Sequence, residues 1–139
     1  MKHLVLAAER GDANAQFNLG VVYHNRLDDN GHTVKGGRAE SIKWLRLAAR
    51  QGLPRAQGKL AEVYTEEPNT PANDVKACAW FLLAMEGSTG AHRQRAQSGY
   101  DRVSARLKPE QIATARRLAR VWRLNRPAAV TAAGSPVIP

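Results

Sequence analysis

The fold is decided by the segment Ile42–Tyr64, IKWLRLAARQGLPRAQGKLAEVY, in the middle of a chain of 139 residues. Its first half has small and apolar residues at the i, i+3, i+4 and i+7 spacing of one helix face: Leu45, Ala48, Ala49 and Gly52. Gly52 suits the position just past a helix end, because glycine adopts positive φ without steric cost. Pro54 suits the first turn of a following helix, where its missing N–H would be unpaired anyway. The segment therefore predicts a helical hairpin.

This hairpin is repeated along the chain. A shift of 41 residues carries Ala7-Ala8-x-x-Gly11 onto Ala48-Ala49-x-x-Gly52. The same shift relates five further pairs: Ala15 with Ala56, Gln16 with Gln57, Leu19 with Leu60, Val22 with Val63, and Tyr23 with Tyr64. A second shift, of 36 residues, carries Trp44 onto Trp80. Self-similarity at a period between about 20 and 50 residues indicates a solenoid of stacked helical units.

The repeated residues resemble a known family. The order Ala15-x-x-x-Leu19-Gly20-x-x-Tyr23, then Trp44-x-x-x-Ala48-Ala49-x-x-Gly52-x-x-x-Ala56, is similar to the Sel-1-like repeat, a relative of the tetratricopeptide repeat. The resemblance covers roughly residues 4–123, including the closing segment Leu107–Gln111, and the departures fall in the loops. It implies an all-α solenoid of antiparallel helix pairs, wound as a right-handed superhelix, with a C-terminal capping helix.

The repeats predict how the chain is divided. We expect one solenoid domain, residues 1–123, with units at about 1–11 (partial), 12–52, 53–88 and 91–123 (terminal), followed by a disordered tail, 124–139. Helices are expected at about 4–10, 13–24, 38–51, 54–65, 74–86 and 91–107 and from Pro109 onward, with Asp74 as the N-cap of the fifth. The repeated positions should pack between helices: Leu19, Tyr23, Trp44, Ala48, Ala49, Gly52, Leu60, Tyr64 and Trp80.

Positive charge is concentrated in the last part of the chain. Of the formal net charge of +9, residues 88–139 supply +8, from 10 Lys/Arg against 2 Asp/Glu. In the last predicted helix, arginines form a stripe at i, i+4 and i+7 with one neighbour: Arg116, Arg120 and Arg123, with Arg117 beside them. Such a stripe suits the polar outer face of a terminal helix. It could also bind an acidic protein or, less favourably without interleaved aromatic residues, nucleic acid.

The sequence shows no pattern typical of an enzyme or a metal site. The histidines, at positions 3, 24, 32 and 92, lack metal-ligand spacing, and the paired carboxylates at 28–29 and 66–67 are adjacent loop residues. Cys78 lies in an apolar helical segment, which indicates a buried thiol. The longest apolar run, residues 77–85, is too short to span a membrane. We therefore expect a cytoplasmic protein without catalytic residues, cofactor or membrane contact.

The resemblance also implies where a partner binds. In the family, the first helices of the units line the concave face of the superhelix, where partners tend to bind. The positions on this face that differ between units are the candidates for partner contact: Asn18, Val21, His24, Lys59 and Glu62. The expected function is a non-catalytic protein–protein interaction module, an adaptor or scaffold in a bacterial complex or signalling pathway.

Two alternatives stay open at this point. A basic accessory protein could contact nucleic acid through the arginine stripe. The chain could also be a regulatory fragment of a longer repeat protein, in which case the half-unit at Leu4–Arg10 should promote self-association.

Overall fold

The computed structural model describes residues 2–26, 37–66 and 69–125, and all regular secondary structure in these ranges is helical. There are seven helices in this part of the chain: α1 (Lys2–Glu9), α2 (Ala13–Asn25), α3 (Gly37–Arg50), α4 (Pro54–Tyr64), α5 (Pro71–Glu86), α6 (Gly90–Ser104) and α7 (Pro109–Asn125). From α1 to α6 each helix packs against the next, which confirms the predicted all-α solenoid. The last helix, α7, packs back against α5 and so closes the stack.

The same local device ends one unit and begins the next. Gly11 and Gly52 end the turns after α1 and α3 with φ of +97° and +90°. A buried glutamine of the following helix then satisfies a carbonyl near the end of the preceding helix: Gln16 Nε2 donates to the Ala8 oxygen at 3.1 Å, and Gln57 Nε2 to the Ala49 oxygen at 3.2 Å. The same two carbonyls also accept the Gly11 and Gly52 N–H groups at 3.0 Å. Each glutamine therefore adds a hydrogen bond that joins the following helix to the end of the preceding one, which accounts for its recurrence in the repeat.

The core has two parts. A small cluster joins α1, α2 and α3 through Ala8, Ala15, Leu19 and Trp44. A larger cluster joins α3 to α7, and its largest side chain with under 2% exposure is Phe81. Glycine allows two close helix contacts with the larger cluster: a Cβ on Gly20 would lie 2.6 Å from Leu45 Cγ, and one on Gly99 would lie 2.4 Å from Phe81 ring carbons. The described members of the repeat set are accordingly buried or half-buried.

The predicted N-cap of the fifth helix is wrong. α5 begins at Pro71, and Thr70 is its N-cap, with Oγ1 accepting the Asn73 N–H at 3.1 Å. Threonine and aspartate both cap helices well, and the proline at the first helical position favours the threonine before it. Asp74 instead lies one turn inside the helix, buried, where its Oδ1 accepts from Arg106 Nη2 at 2.8 Å and from Asn69 Nδ2 at 2.9 Å.

Two predicted segments fall wholly or partly outside the described residues. The loop expected between the second and third helices includes residues 27–36, and most of the expected disordered tail lies after Asn125. Its first two residues, Leu124 and Asn125, belong to α7, so this helix extends past the domain end predicted at residue 123. The other observed helix bounds agree with the predicted ones or differ from them by at most three residues.

Candidate functional site

Helices α2, α4 and α6 line one groove of about 160 Å³, with α5 beneath them. We call this depression the inner groove. Its lining combines apolar and charged side chains, and the ones that carry the argument are Phe17 from α2, Arg55, Lys59 and Glu62 from α4, and Arg95 from α6. The ring of Phe81 and the methyl group of Ala84 complete it from α5.

A network of ion pairs crosses the inner groove from α4 to α6. The Glu62 carboxylate accepts from Arg95 Nε at 2.9 Å and from Arg95 Nη2 at 3.3 Å. Lys59 Nζ lies 3.9 Å from the same carboxylate, one helical turn away. Glu62 is thereby compensated by two cations, which leaves the groove with net positive charge.

Arg55 links α4 to α2 at the other side of the inner groove. Its guanidinium lies over the Phe17 ring, 5.2 Å from the centroid, and Arg55 Nη2 donates to Asn14 Oδ1 at 2.9 Å. Arginine stacked on an aromatic ring retains donors that can bind a carboxylate. No carboxylate of the described residues pairs with Arg55. The groove therefore presents a positioned cation beside an apolar ring.

Two consecutive segments of the chain, residues 13–53 and 54–87, match the model of the Sel1 repeat. Together these two segments make up more than half of the chain. The chain belongs to the Sel1 repeat family. The two matched segments are the α2–α3 and α4–α5 hairpins, and α6 and α7 follow them in the chain. Sel1 repeats generally mediate protein–protein interaction and are typically non-catalytic.

One similar solved structure is that of c5321, a protective antigen present in uropathogenic Escherichia coli strains and displaying an SLR fold. It aligns with a TM-score of 0.71 and 27% sequence identity over 88% of this chain. The match covers 25% of the antigen, so this Sel1 repeat chain spans about a quarter of its length. Among curated proteins, none matches the chain significantly.

The five predicted partner-binding residues do not all lie at the inner groove. Lys59 and Glu62 line the inner groove. Their equivalents in the first repeat, Asn18 and Val21, lie on α2 outside this depression, the first exposed and the second half-buried. His24 is engaged within the chain, because its Nε2 lies 2.6 Å from Glu66 Oε1.

The lining residues of the inner groove that the sequence did not predict include Phe17, Arg55, His92 and Arg95. A signal for two of them was present in the sequence. The tripeptide Arg-Ala-Gln occurs at 55–57 and again at 95–97, a shift of 40 residues that extends the repeat into α6. The structure brings both arginines, Arg55 of α4 and Arg95 of α6, to the inner groove.

The predicted arginine stripe is divided between two surfaces. Arg116, Arg117 and Arg120 are exposed and surround an open depression on α7 that no aromatic residue lines. Arg123 instead makes a two-point ion pair with Glu86 of α5, in which Nε lies 2.9 Å from Oε2. The stripe is thus a surface of three arginines, not four.

Three further observations concern the thiol, the metal-ligating side chains and the hydropathy of the described residues. Burial raises the pKa of the Cys78 thiol to about 11, although the charge of Arg116 acts in the opposite direction. Within residues 2–26, 37–66 and 69–125, no three or more His, Cys, Asp or Glu side chains are grouped so that they could hold a metal ion. In the same ranges no helix combines the length and the hydropathy needed to cross a membrane.

Proposed function

We propose that this Sel1 repeat chain is a non-catalytic interaction module, an adaptor or scaffold that holds a partner protein in the inner groove. The observation that carries the proposal is the convergence of α2, α4 and α6 on a single groove where cations lie beside an apolar ring. Aromatic and arginine side chains are the types enriched at protein interfaces. The general role of Sel1 repeats supports the same class of function.

The charge of the inner groove indicates an acidic partner segment. The charged side chains that line it are three cations, Arg55, Lys59 and Arg95, and a single carboxylate, that of Glu62. An acidic segment would be steered to this surface and would find the guanidinium of Arg55 already positioned. Similarity to an Escherichia coli protein supports a bacterial complex as the setting.

We do not propose nucleic-acid binding. The comparisons with known proteins give it no support. The depression beside Arg116, Arg117 and Arg120 lacks the aromatic platforms on which bases stack, and Arg123 is paired with Glu86.

Self-association through α1 stays a prediction, for which Leu6, 41% exposed, is the apolar residue to test.

The proposal is tested by capture of partners from lysate of the source organism, with and without nuclease, using the wild-type chain and two variants. Arg55→Glu reverses the charge in the inner groove. Arg93→Glu makes the same change at an exposed position of α6 outside the groove. We expect a discrete protein that the wild type and Arg93→Glu capture equally and that Arg55→Glu loses.

Affinity measurements with the purified partner make this test quantitative. Reversing a charge that faces an acidic segment should raise Kd about tenfold or more and reduce the association rate. Equal Kd values for all three proteins would contradict the proposal. Capture that disappears when nuclease is added would instead support the rejected nucleic-acid alternative.

A further inference from the structure

A second and larger depression lies on the opposite side of α4 from the inner groove. It has a volume of about 670 Å³ and is bordered by α3, α5 and α7. It exists because α5 and α7 pack directly while α3 and α5 make at most sparse backbone contact. We call this depression the outer cleft. Its volume falls within the range of about 300–1,000 Å³ usual for ligand sites.

Cations stand on two walls of the outer cleft. Arg46 and Arg50 come from α3, Lys76 from α5 and Arg123 from α7, against one carboxylate, that of Glu86. Glu86 already pairs with Arg123, so the other three cations have no carboxylate partner among the described residues. The mouth of the cleft is therefore strongly complementary to negative charge.

The inner end of the outer cleft is aromatic and held in place. Trp80 and Trp122 stack with ring centroids 4.3 Å apart and planes inclined by 22°. The Tyr64 hydroxyl accepts from Arg46 Nη2 at 2.8 Å, and Lys76 Nζ lies 5.7 Å from the Tyr64 ring centroid. Leu83 adds aliphatic surface. An apolar group at this end would contact rings whose positions are fixed before binding.

This arrangement distinguishes between possible occupants. A single phosphate could reach one wall, but it would leave the cations of the other wall and the aromatic end unused. A peptide with carboxylates on both sides of an apolar residue would use all three features. The chain's own segment after Asn125 has no Asp or Glu, so its charge does not complement the cleft.

We propose that the outer cleft is a second binding site, which takes a short acidic peptide segment of a partner protein with its central apolar side chain against Trp80 and Trp122. The carboxylates flanking that side chain would lie between the cations of α3 and Lys76. This site is distinct from the inner groove and does not depend on it, because the two open on opposite sides of α4.

The test uses a labelled peptide, Asp-Glu-Asp-Leu-Glu-Asp, titrated against the whole chain by fluorescence anisotropy, with the emission of the chain's tryptophans as a second readout. Two matched peptides replace either the acidic residues by Asn and Gln or the leucine by Ser. Binding of the first peptide should weaken with rising salt, and both matched peptides should bind at least about tenfold more weakly.

Four charge reversals locate the site. Arg50→Glu and Lys76→Glu change exposed residues at the outer cleft, while Arg55→Glu changes the inner groove and Arg93→Glu lies outside both. The two cleft variants should lose about tenfold or more in affinity each and abolish the change in tryptophan emission. The other two should bind as the wild type does, with folding checked by circular dichroism.

Several results would overturn the inference. Equal losses in all four variants would mean non-specific attraction, and a loss confined to Arg55→Glu would assign the peptide to the inner groove. Tight binding of the serine peptide, or displacement by tripolyphosphate at lower concentration than by the peptide itself, would identify a small-anion site. Failure of the peptide to bind the outer cleft leaves the inner-groove proposal standing, since that proposal is tested by capture of a partner protein and not by this peptide.

Discussion

Replacing Gly99 by alanine tests the close contact between α5 and α6. The new Cβ would lie 2.4 Å from two ring carbons of Phe81 and 2.9 Å from a third, whereas carbon atoms pack at about 3.5–4.0 Å. Because Phe81 is 1% exposed, the helices must separate by about 1 Å, at a cost near the upper end of the overpacking range, about 3 kcal/mol. The higher helix propensity of alanine offsets about 1 kcal/mol of this cost. We therefore expect Gly99→Ala to lower the free energy of unfolding by about 2 kcal/mol.

The matched control is Gly58→Ala on α4. There the nearest atom to a new Cβ is Ala84 Cβ at 3.9 Å, an ordinary contact, so only the propensity gain of about 0.5–1 kcal/mol should appear. Urea unfolding followed by circular dichroism measures both variants, and equal m-values show that the unfolding transition is comparable. A Gly99→Ala variant as stable as wild type would refute the contact, and stability recovered in Gly99→Ala/Phe81→Leu would support it.

Two further predictions concern buried groups. Gln57→Leu removes the side-chain hydrogen bond to the Ala49 carbonyl, which keeps its bond from the Gly52 N–H, and should cost about 0.5–1.5 kcal/mol in urea unfolding. Gln97→Leu, at an exposed position in α6, should change stability by under about 0.5 kcal/mol. Burial raises the pKa of Cys78 to about 11 from a usual value of 9.0, so a thiol reagent at pH 8 should label the unfolded chain and leave the native chain unlabelled; rapid native labelling would contradict this. Because the unfolded chain loses the thiol proton first, the stability advantage of wild type over Cys78→Ala should shrink as pH rises from about 9 to 11.

The fold could be predicted from the sequence because most helices pack against the next helix in the chain. The 41-residue shift and the glycines at 11 and 52 define hairpins whose contacts join neighbours in sequence, and these are the contacts that periodicity reports. The capping residue of α5 could not be assigned in the same way. The Asp74 carboxylate accepts a hydrogen bond from Arg106, which lies 32 residues later in the chain. The preference of aspartate for helix N-caps does not predict a partner at that distance.

The candidate site was predictable only in part for the same reason. Lys59 and Glu62 could be placed on the inner groove because the repeat register identifies the first helix of each unit. Arg95 was missed because α6 departs from the repeat at most positions, although Arg-Ala-Gln recurs there. The outer cleft had no signal in the sequence at all, because it depends on α5 packing closely against α7 and not against α3.

The most direct test of the central claim is photo-crosslinking between the chain and its captured partner. A photoreactive residue replaces either His92, exposed at the inner groove, or Arg117, exposed in the arginine stripe. The account predicts efficient crosslinking from position 92, loss of that crosslink when Arg55→Glu is added, and little crosslinking from position 117. Efficient crosslinking from position 117 with none from position 92 would contradict the claim that the inner groove holds the partner.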